Sequence, residues 1–274
     1  MTLVTLSDVL QPALNNNYAV AGLVTLGWED SEAYVQAAEN ENLPVILQAG
    51  PSCRNNTPLP IIGKMFRHLA EQASVPVVAH LDHGYTIDEC KEALDSGFTS
   101  LMYDGSRKPL EQNIDETAEV AQLAHESGIS CEGEIGFVGY EDGEKSTGTD
   151  PFQAATFIDS TGVDALAISV GNIHLQQNKK NSLNLDKIRK IEQKTNIPLV
   201  IHGGSGIPEE ERRFLARNTS ICKINIGTEL RILFGNTLRN ILDKDSKIFD
   251  RISILNKTRS PLIIATSNLL KMLR

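Results

Sequence analysis

Three histidines stand at or just beyond the ends of short apolar runs, His83 in PVVAHLDHG, His174 in ALAISVGNIH and His202 in PLVIHGG. Neutral imidazoles are good donors to transition metals. Three of them around one open position make a catalytic zinc site, in which the ion acts as a Lewis acid on a substrate oxygen. Widely separated ligands leave no compact motif, so two other uses stay open: acid–base or hydrogen-bonding work, and plain polar strand ends facing water. Asp104 in SLMYD and Glu134 in SCEGEI end two further runs, and each can orient an imidazole or stand in as a ligand. Asp82 directly precedes His83, which puts a carboxylate beside an imidazole at the end of a run that otherwise reads as buried.

A second group of residues suits phosphate. HGGSG (202–206) and NIGTE (225–229) each follow or close an apolar run, where glycines let a phosphate approach backbone N–H groups near a helix N-terminus. Gly203, Gly204 and Gly227 give that access, Ser205 and Thr228 add hydroxyl donors, and Asn225 opens the second turn. The stretch EGEIGFVGYEDGEKSTGTDP (132–151) is polar, glycine-rich and too long for an ordinary turn, so it reads as a lid. The lid carboxylate singled out is Glu141, with Asp142 one position away.

Convergence of these residues requires a scaffold that brings distant strand ends together. Eight short runs, at 18–25, 44–49, 76–82, 100–104, 130–135, 165–170, 198–203 and 221–226, are apolar on both parities, as parallel strands covered on both faces should be. Helical patterns such as TIDECKEALDSG separate them, with Gly97 and Gly128 in C-cap positions. Eight strand–helix units in a chain of 274 residues predict an α/β fold, a single (β/α)8 TIM barrel spanning about 17–241, with extra C-terminal helices over 242–274. A doubly wound open sheet is the competing architecture. In a barrel the site forms at the C-terminal ends of the strands, which is where His83, Asp104, Glu134, His174 and His202 fall. His68 and His125 lie on predicted helices, and His80 shares the side of its strand with Asp82.

Composition narrows the partners. A formal net charge of -9 argues against nucleic acid or an anionic membrane surface, which basic patches usually hold. Four cysteines, Cys53, Cys90, Cys131 and Cys222, are scattered singly, so no disulfide framework or cysteine zinc cluster is expected. MTLVTLSDVLQPAL has no basic leader pattern, and no run approaches the ~18 apolar residues of a membrane span. The expected location is the cytoplasm.

Taken in order, HLDHG, DGS (104–106), EGEIG, TGVDALAISVGNIH, VIHGGSG and KINIGTE resemble the class II zinc-dependent ketose-bisphosphate aldolases, over roughly residues 1 to 240. The resemblance implies a lyase that reversibly cleaves a phosphorylated ketose, such as fructose 1,6-bisphosphate or a related ketose phosphate, to dihydroxyacetone phosphate and an aldehyde. It implies Zn2+ on His83, His174 and His202, with Na+ or K+ as a further candidate ion. Asp82 becomes the acid–base group on the hydroxyl of the bond-breaking carbon, Asp104 and Glu134 become an alternative resting place for the metal, and Glu141 the lid carboxylate that moves the enediolate proton. Zinc chemistry needs no Schiff-base lysine, and the resemblance gives Lys223 a structural position. A homodimer or larger homo-oligomer acting on a small sugar phosphate is implied as well. The chain departs from the family pattern at Val24, where most members have Asn, at Gly50, where Ser is usual, and at Leu175, where Gly is usual. A non-catalytic sugar-phosphate-binding member of the family and a zinc hydrolase on the same barrel are the competing functions.

Overall fold

The computed structural model describes residues 2–141, 143–178 and 183–274. After a two-residue strand β1 (Leu3–Val4), eight parallel strands follow: β2 (Val20–Val24), β3 (Val45–Ala49), β4 (Val77–Gly84), β5 (Ser100–Tyr103), β6 (Ser130–Ile135), β7 (Ala165–Ile168), β8 (Leu199–Ile201) and β9 (Ile221–Ile226). They pair in the order β4-β3-β2-β9-β8-β7-β6-β5, and β5 returns to β4 through His80↔Ser100 and Leu81↔Leu101. That last pairing closes the barrel and rules out an open sheet. Every barrel strand falls on a run that reads as a strand in the sequence, with β4 continuing two residues beyond its run, to Gly84.

The helices are α1 (Leu6–Asn16), α2 (Trp28–Glu41), α3 (Pro51–Asn56), α4 (Leu59–Gln72), α5 (Ile87–Asp95), α6 (Leu110–Glu126), α7 (Pro151–Thr161), α8 (Leu185–Glu192), α9 (Glu209–Asn218), α10 (Thr228–Lys244) and α11 (Arg251–Leu273). Sequence reading gave no role to the first sixteen residues. Thr5 and Asp8 form a capping box that starts α1, and its buried face of Leu6, Val9, Leu10 and Ala13 packs onto Val20, Ile46, Val78 and Val200 at the end of the barrel away from the site. This apolar plug closes the bottom of the barrel.

The extension expected over 242–274 forms one long helix, α11, while α10 is the helix that follows the last barrel strand. Helix α11 lies along α2, buries Leu262, Leu269, Leu270 and Leu273, and accepts the Ala19 N–H at Leu273 O (3.0 Å), so it covers the first barrel strand. Helix α10 buries only Leu230 and leaves Ile232 and Leu242 exposed; Phe249 and Ile252, further along the chain, are exposed as well. Among the described residues no helix is long and apolar enough to cross a membrane.

Two irregularities in the ladders set what faces inward. Strand β9 pairs Ile221 with Leu199 and then Lys223 with Val200, so Cys222 is an extra residue. Both Cys222 and Lys223 therefore enter the barrel, where strict alternation would admit one. Strand β4 likewise pairs Leu81 with Leu101 and resumes at Gly84 with Tyr103, which gives it one residue more than β5 in this interval. His83 takes a left-handed φ of 56° at that point.

Candidate metal centre

The bulge in β4 answers why a carboxylate and an imidazole sit side by side. Consecutive strand residues ordinarily point to opposite faces. With the extra residue and the positive φ of His83, Asp82 and His83 both line the cavity at the C-terminal mouth of the barrel. Few non-glycine residues adopt such a φ, and those that do cluster at functional sites.

His174 is positioned by the lid. The Tyr140 segment pairs with it as an isolated parallel bridge, with His174 N–H on Gly139 O (2.8 Å) and Glu141 N–H on His174 O (3.2 Å). The Tyr140 ring stacks on the His174 ring with centroids 5.0 Å apart. His202 directly follows β8, fully buried, with its Nε2 3.2 Å from Glu132 Oε1. Glu132 in turn accepts from Lys223 Nζ (2.7 Å), which also reaches His80 Nε2 (3.1 Å). Lys223 is thus engaged one layer below the mouth, which agrees with a structural position.

One ligand nitrogen from each of His83, His174 and His202 can lie within 4.8 Å of the others, and the ring centroids are 4.6, 5.2 and 5.6 Å apart. A second cluster, His83, Asp104 and Glu134, meets the same limit. His83 Nδ1 is 2.7 Å from Asp104 Oδ2, while Glu134 Oε2 lies 3.8 Å from His83 Nδ1 and 3.4 Å from His202 Nδ1. Among the described residues, His202 Nδ1 and Glu134 Oε2 are buried without a hydrogen-bond partner. Buried polar atoms rarely go unpaired, and an imidazole nitrogen with a carboxylate oxygen is the donor set that fits a divalent cation.

The electrostatics fit the same reading. Burial works against charging His83, but Asp82, the hydrogen-bonded Asp104 and Glu134 outweigh it and raise its pKa to about 10. Burial, followed by the neighbouring His83 charge, holds His174 and His202 well below the usual imidazole range, as neutral donors. Burial and the charge of Asp104 push Glu134 well above the carboxylate range.

Around this centre lies a cavity of about 190 Å³ whose walls include Val24, Gly50, Tyr85, Tyr140, Ser205 and Arg231. Asn225 Nδ2 donates to Asp82 Oδ1 (3.3 Å). Ser205 Oγ accepts the N–H groups of Gly227 (3.3 Å) and Glu229 (3.2 Å), tying the two glycine turns together at the start of α10. Arg231, one turn into α10, reaches Thr228 Oγ1 (3.5 Å) and adds a cation that sequence reading did not single out. Gly203, Gly227 and Thr228 line the cavity; Gly204 is packed behind it against Ile224 and the backbone of Asn225. Gly203 has a further reason to be glycine. At φ 68° its missing Cβ would overlap the carbonyl of Ile173, the residue that carries the chain into His174.

Glu141 is not brought into the cavity wall. It is exposed, its carboxylate accepts the Gln177 N–H (3.1 Å), and Tyr140 takes the place facing His174. Asp142 lies outside the described residues. Leu175 is half exposed with φ 59°, the left-handed region in which a glycine carries no steric cost. A larger cavity, about 310 Å³ between α9, α10 and α11, is lined by the paired Arg212 and Glu229 and is separate from the histidines.

A parallel barrel with three imidazoles and several carboxylates at its C-terminal mouth defines a class, the metal-dependent barrel enzymes that polarise a substrate oxygen. A family profile described as "Fructose-bisphosphate aldolase class-II" matches residues 4–274. The chain belongs to that family, and it is a metal-dependent ketose-phosphate aldolase, a lyase. It is 37% identical to a fructose-bisphosphate aldolase of Geobacillus stearothermophilus over 94% of this chain and 92% of that one. Identity to a Staphylococcus aureus fructose-bisphosphate aldolase is 36%, over 94% and 93%. Among solved structures, the YdjI aldolase of Escherichia coli K12 superposes with a TM-score of 0.88 at 30% identity, covering 99% of this chain and 97% of its own. The Campylobacter jejuni fructose-bisphosphate aldolase, at 22% identity and a TM-score of 0.83, covers 98% of this chain and 93% of its own and shares the fold.

Two outcomes follow from this geometry. As a metal ligand His83 would give up the proton it carries below pH about 10, so metal binding at pH 7 should release at least that proton and should weaken as the pH falls. Calorimetric titration in two buffers of different ionisation enthalpy measures the release; none at pH 7 contradicts the assignment of His83. Gly203→Ala forces both a left-handed alanine and a displaced Ile173 carbonyl, which should cost at least about 2 kcal/mol in chemical denaturation and weaken metal binding through His174.

Proposed function

We propose that the metal is zinc, held by His83, His174 and His202, and that Asp82 is the acid–base group of the cleavage. The observation that carries this reading is the convergence of three imidazoles from separate strand ends, with His202 Nδ1 buried and unpartnered. Bound there, zinc supplies Lewis-acid polarisation of the substrate ketone. Asp82 takes the proton from the hydroxyl on the carbon whose bond breaks and returns it in the reverse direction, and Asn225 orients its carboxylate. Asp104 fixes the His83 ring through Nδ1, and Glu132 fixes the His202 ring through Nε2. Asp104 and Glu134 serve as alternative ligands. The substrate phosphate is read by Ser205, Thr228 and Arg231, by Gly203 and Gly227, and by the N-terminus of α10; Gly204 supports that turn from behind. Glu141 acts on the enediolate proton once its side chain, now accepting the Gln177 N–H, turns into the cavity while its backbone keeps its bond to His174.

Substrate preference follows from the walls near Asp82. A Cβ on Gly50 would stand 3.1 Å from Asp82 Oδ2, and Val24 presents methyl groups between that point and Gly227. In place of the Asn and Ser of the family pattern, this side of the cavity is roomier and less polar. We infer a ketose 1-phosphate that is less hydroxylated at the carbon facing Val24 and Gly50, a deoxy ketose for example, in preference to fructose 1,6-bisphosphate. The Na+ or K+ ion rests on the resemblance alone. We also propose a homo-oligomer that covers the exposed Ile232, Leu242, Phe249 and Ile252, and a cytoplasmic location in keeping with four free, buried cysteines.

Zinc-loaded protein incubated with a panel of ketose 1-phosphates and bisphosphates should release triose phosphate and aldehyde, and a chelator should abolish release. Free inorganic phosphate would point instead to a hydrolase. Fastest turnover of fructose 1,6-bisphosphate would remove the substrate inference. Asp82→Ala should keep its metal and lose about 100-fold or more in kcat, whereas His202→Ala should lose the metal itself. Wild-type activity in either variant contradicts the roles assigned. Sedimentation equilibrium should give at least twice the monomer mass; a monomer at micromolar concentration rejects the oligomer.

A further inference from the structure

The extra residue in β4 leaves a local problem that the metal ligands do not solve. Pairing with β3 ends at Ala49↔Leu81, and pairing with β5 skips from Leu81 to Gly84. Residues 82 and 83 are buried all the same, with only 5% and 6% of their surface exposed. Their backbone groups need partners other than the ladder. The His83 N–H meets Met102 Sδ at 3.4 Å. The two carbonyls meet one side chain, Arg54 of α3. Its Nη1 donates to Asp82 O (2.7 Å) and to Ala49 O (2.7 Å), and its Nη2 to His83 O (2.8 Å).

Arg54 is anchored in its turn. Its Nε donates to Glu89 Oε1 (2.8 Å), and Glu89 Oε2 accepts the Tyr85 N–H (2.9 Å). The guanidinium side chain is 6% exposed. One planar fork therefore ties the end of β3, both irregular residues of β4 and, through Glu89, the start of the next loop. We propose that Arg54 and Glu89 form a clamp that holds the left-handed turn at His83 in the conformation the metal centre requires, making Arg54 a positioning residue for both His83 and Asp82. The proposal rests on His83 being a metal ligand. A lysine carries the same charge but has no planar fork with which to bridge three carbonyls and a carboxylate.

Cobalt(II) is the probe, since its visible absorption reports ligand geometry independently of turnover. Arg54→Lys should bind cobalt at least tenfold more weakly in chelator competition, show an altered d–d spectrum at saturating metal, and lose at least tenfold in kcat with KM changed less than threefold. In Arg54→Ala, millimolar guanidinium should restore part of the cobalt affinity. Wild-type cobalt affinity and spectrum in a folded Arg54→Lys protein would overturn the clamp while leaving the metal site intact. Failure of the unaltered protein to bind cobalt would instead remove the metal site, and the clamp with it. If Arg54→Lys does not fold, Glu89→Gln decides: it keeps the three carbonyl bonds but weakens their anchor, so reduced cobalt affinity supports the clamp and unchanged affinity overturns it.

Discussion

One surplus residue in β4 governs this site. A parallel strand delivers alternate side chains to the barrel interior, and regular pairing would send Asp82 and His83 to opposite faces. The bulge with its left-handed His83 breaks the alternation at the last point before the strand ends and aims a carboxylate and an imidazole into one cavity. A left-handed residue with a Cβ costs roughly 1–2 kcal/mol. The surrounding bonds offset this: Asp104 on the ring, Arg54 on the carbonyls, Met102 on the N–H.

The second constraint is charge. Six ionisable groups, His83, His174, His202, Asp82, Asp104 and Glu134, occupy a buried or nearly buried space, and unpaired charges there are costly. The structure distributes them unevenly. His83 holds a proton among three carboxylates, His174 and His202 are driven neutral, and Glu134 is pushed toward its protonated form. Replacing the His83 proton by a divalent cation adds positive charge where Asp82, Asp104 and Glu134 already favour it. Below, Lys223 sits between Glu132 and His80, and burial followed by the Lys223 charge keeps His80 well below the usual imidazole range. Glu132 is then free to hold His202 as an acceptor.

Much of this was legible in the sequence because parallel barrel strands are apolar on both parities and end where the chemistry begins. The eight runs, the three histidines and the two glycine turns needed only that rule. What stayed hidden depends on partners distant in sequence. Nothing around Arg54 says that it will meet the carbonyls of residues 82 and 83, since a charged residue in a short helix usually faces water. The bulge in β4 has no composition signal either. Gly203 reads in the sequence as an opening for phosphate, and it does line the cavity, but its left-handed φ and the Ile173 carbonyl above it impose a second constraint. Glu141 stands out in the sequence by its place in a long polar loop, yet side-chain direction in such a loop follows its local pairing, and here Tyr140 faces inward. The roles of α1 and α11 depend on which barrel surfaces remain uncovered, a property of the closed fold and of no single segment.

The residues that do the chemistry and those that shape the substrate are separable in this architecture, which gives the departures from the family pattern their meaning. His83, His174 and His202 are fixed from below and behind, by Asp104, by the lid backbone and by Glu132. Val24 and Gly50, by contrast, end β2 and follow β3, where their side-chain positions face the cavity and carry no metal ligand. Change there alters the volume and polarity beside Asp82 without disturbing any bond that holds the imidazoles. Leu175 is a different case, since it is adjacent to His174 and adopts a left-handed φ that its side chain disfavours. Half exposed at the cavity rim, its side chain adds apolar surface beside His174 and contributes nothing to the buried core, so the strain of its backbone is not offset by packing.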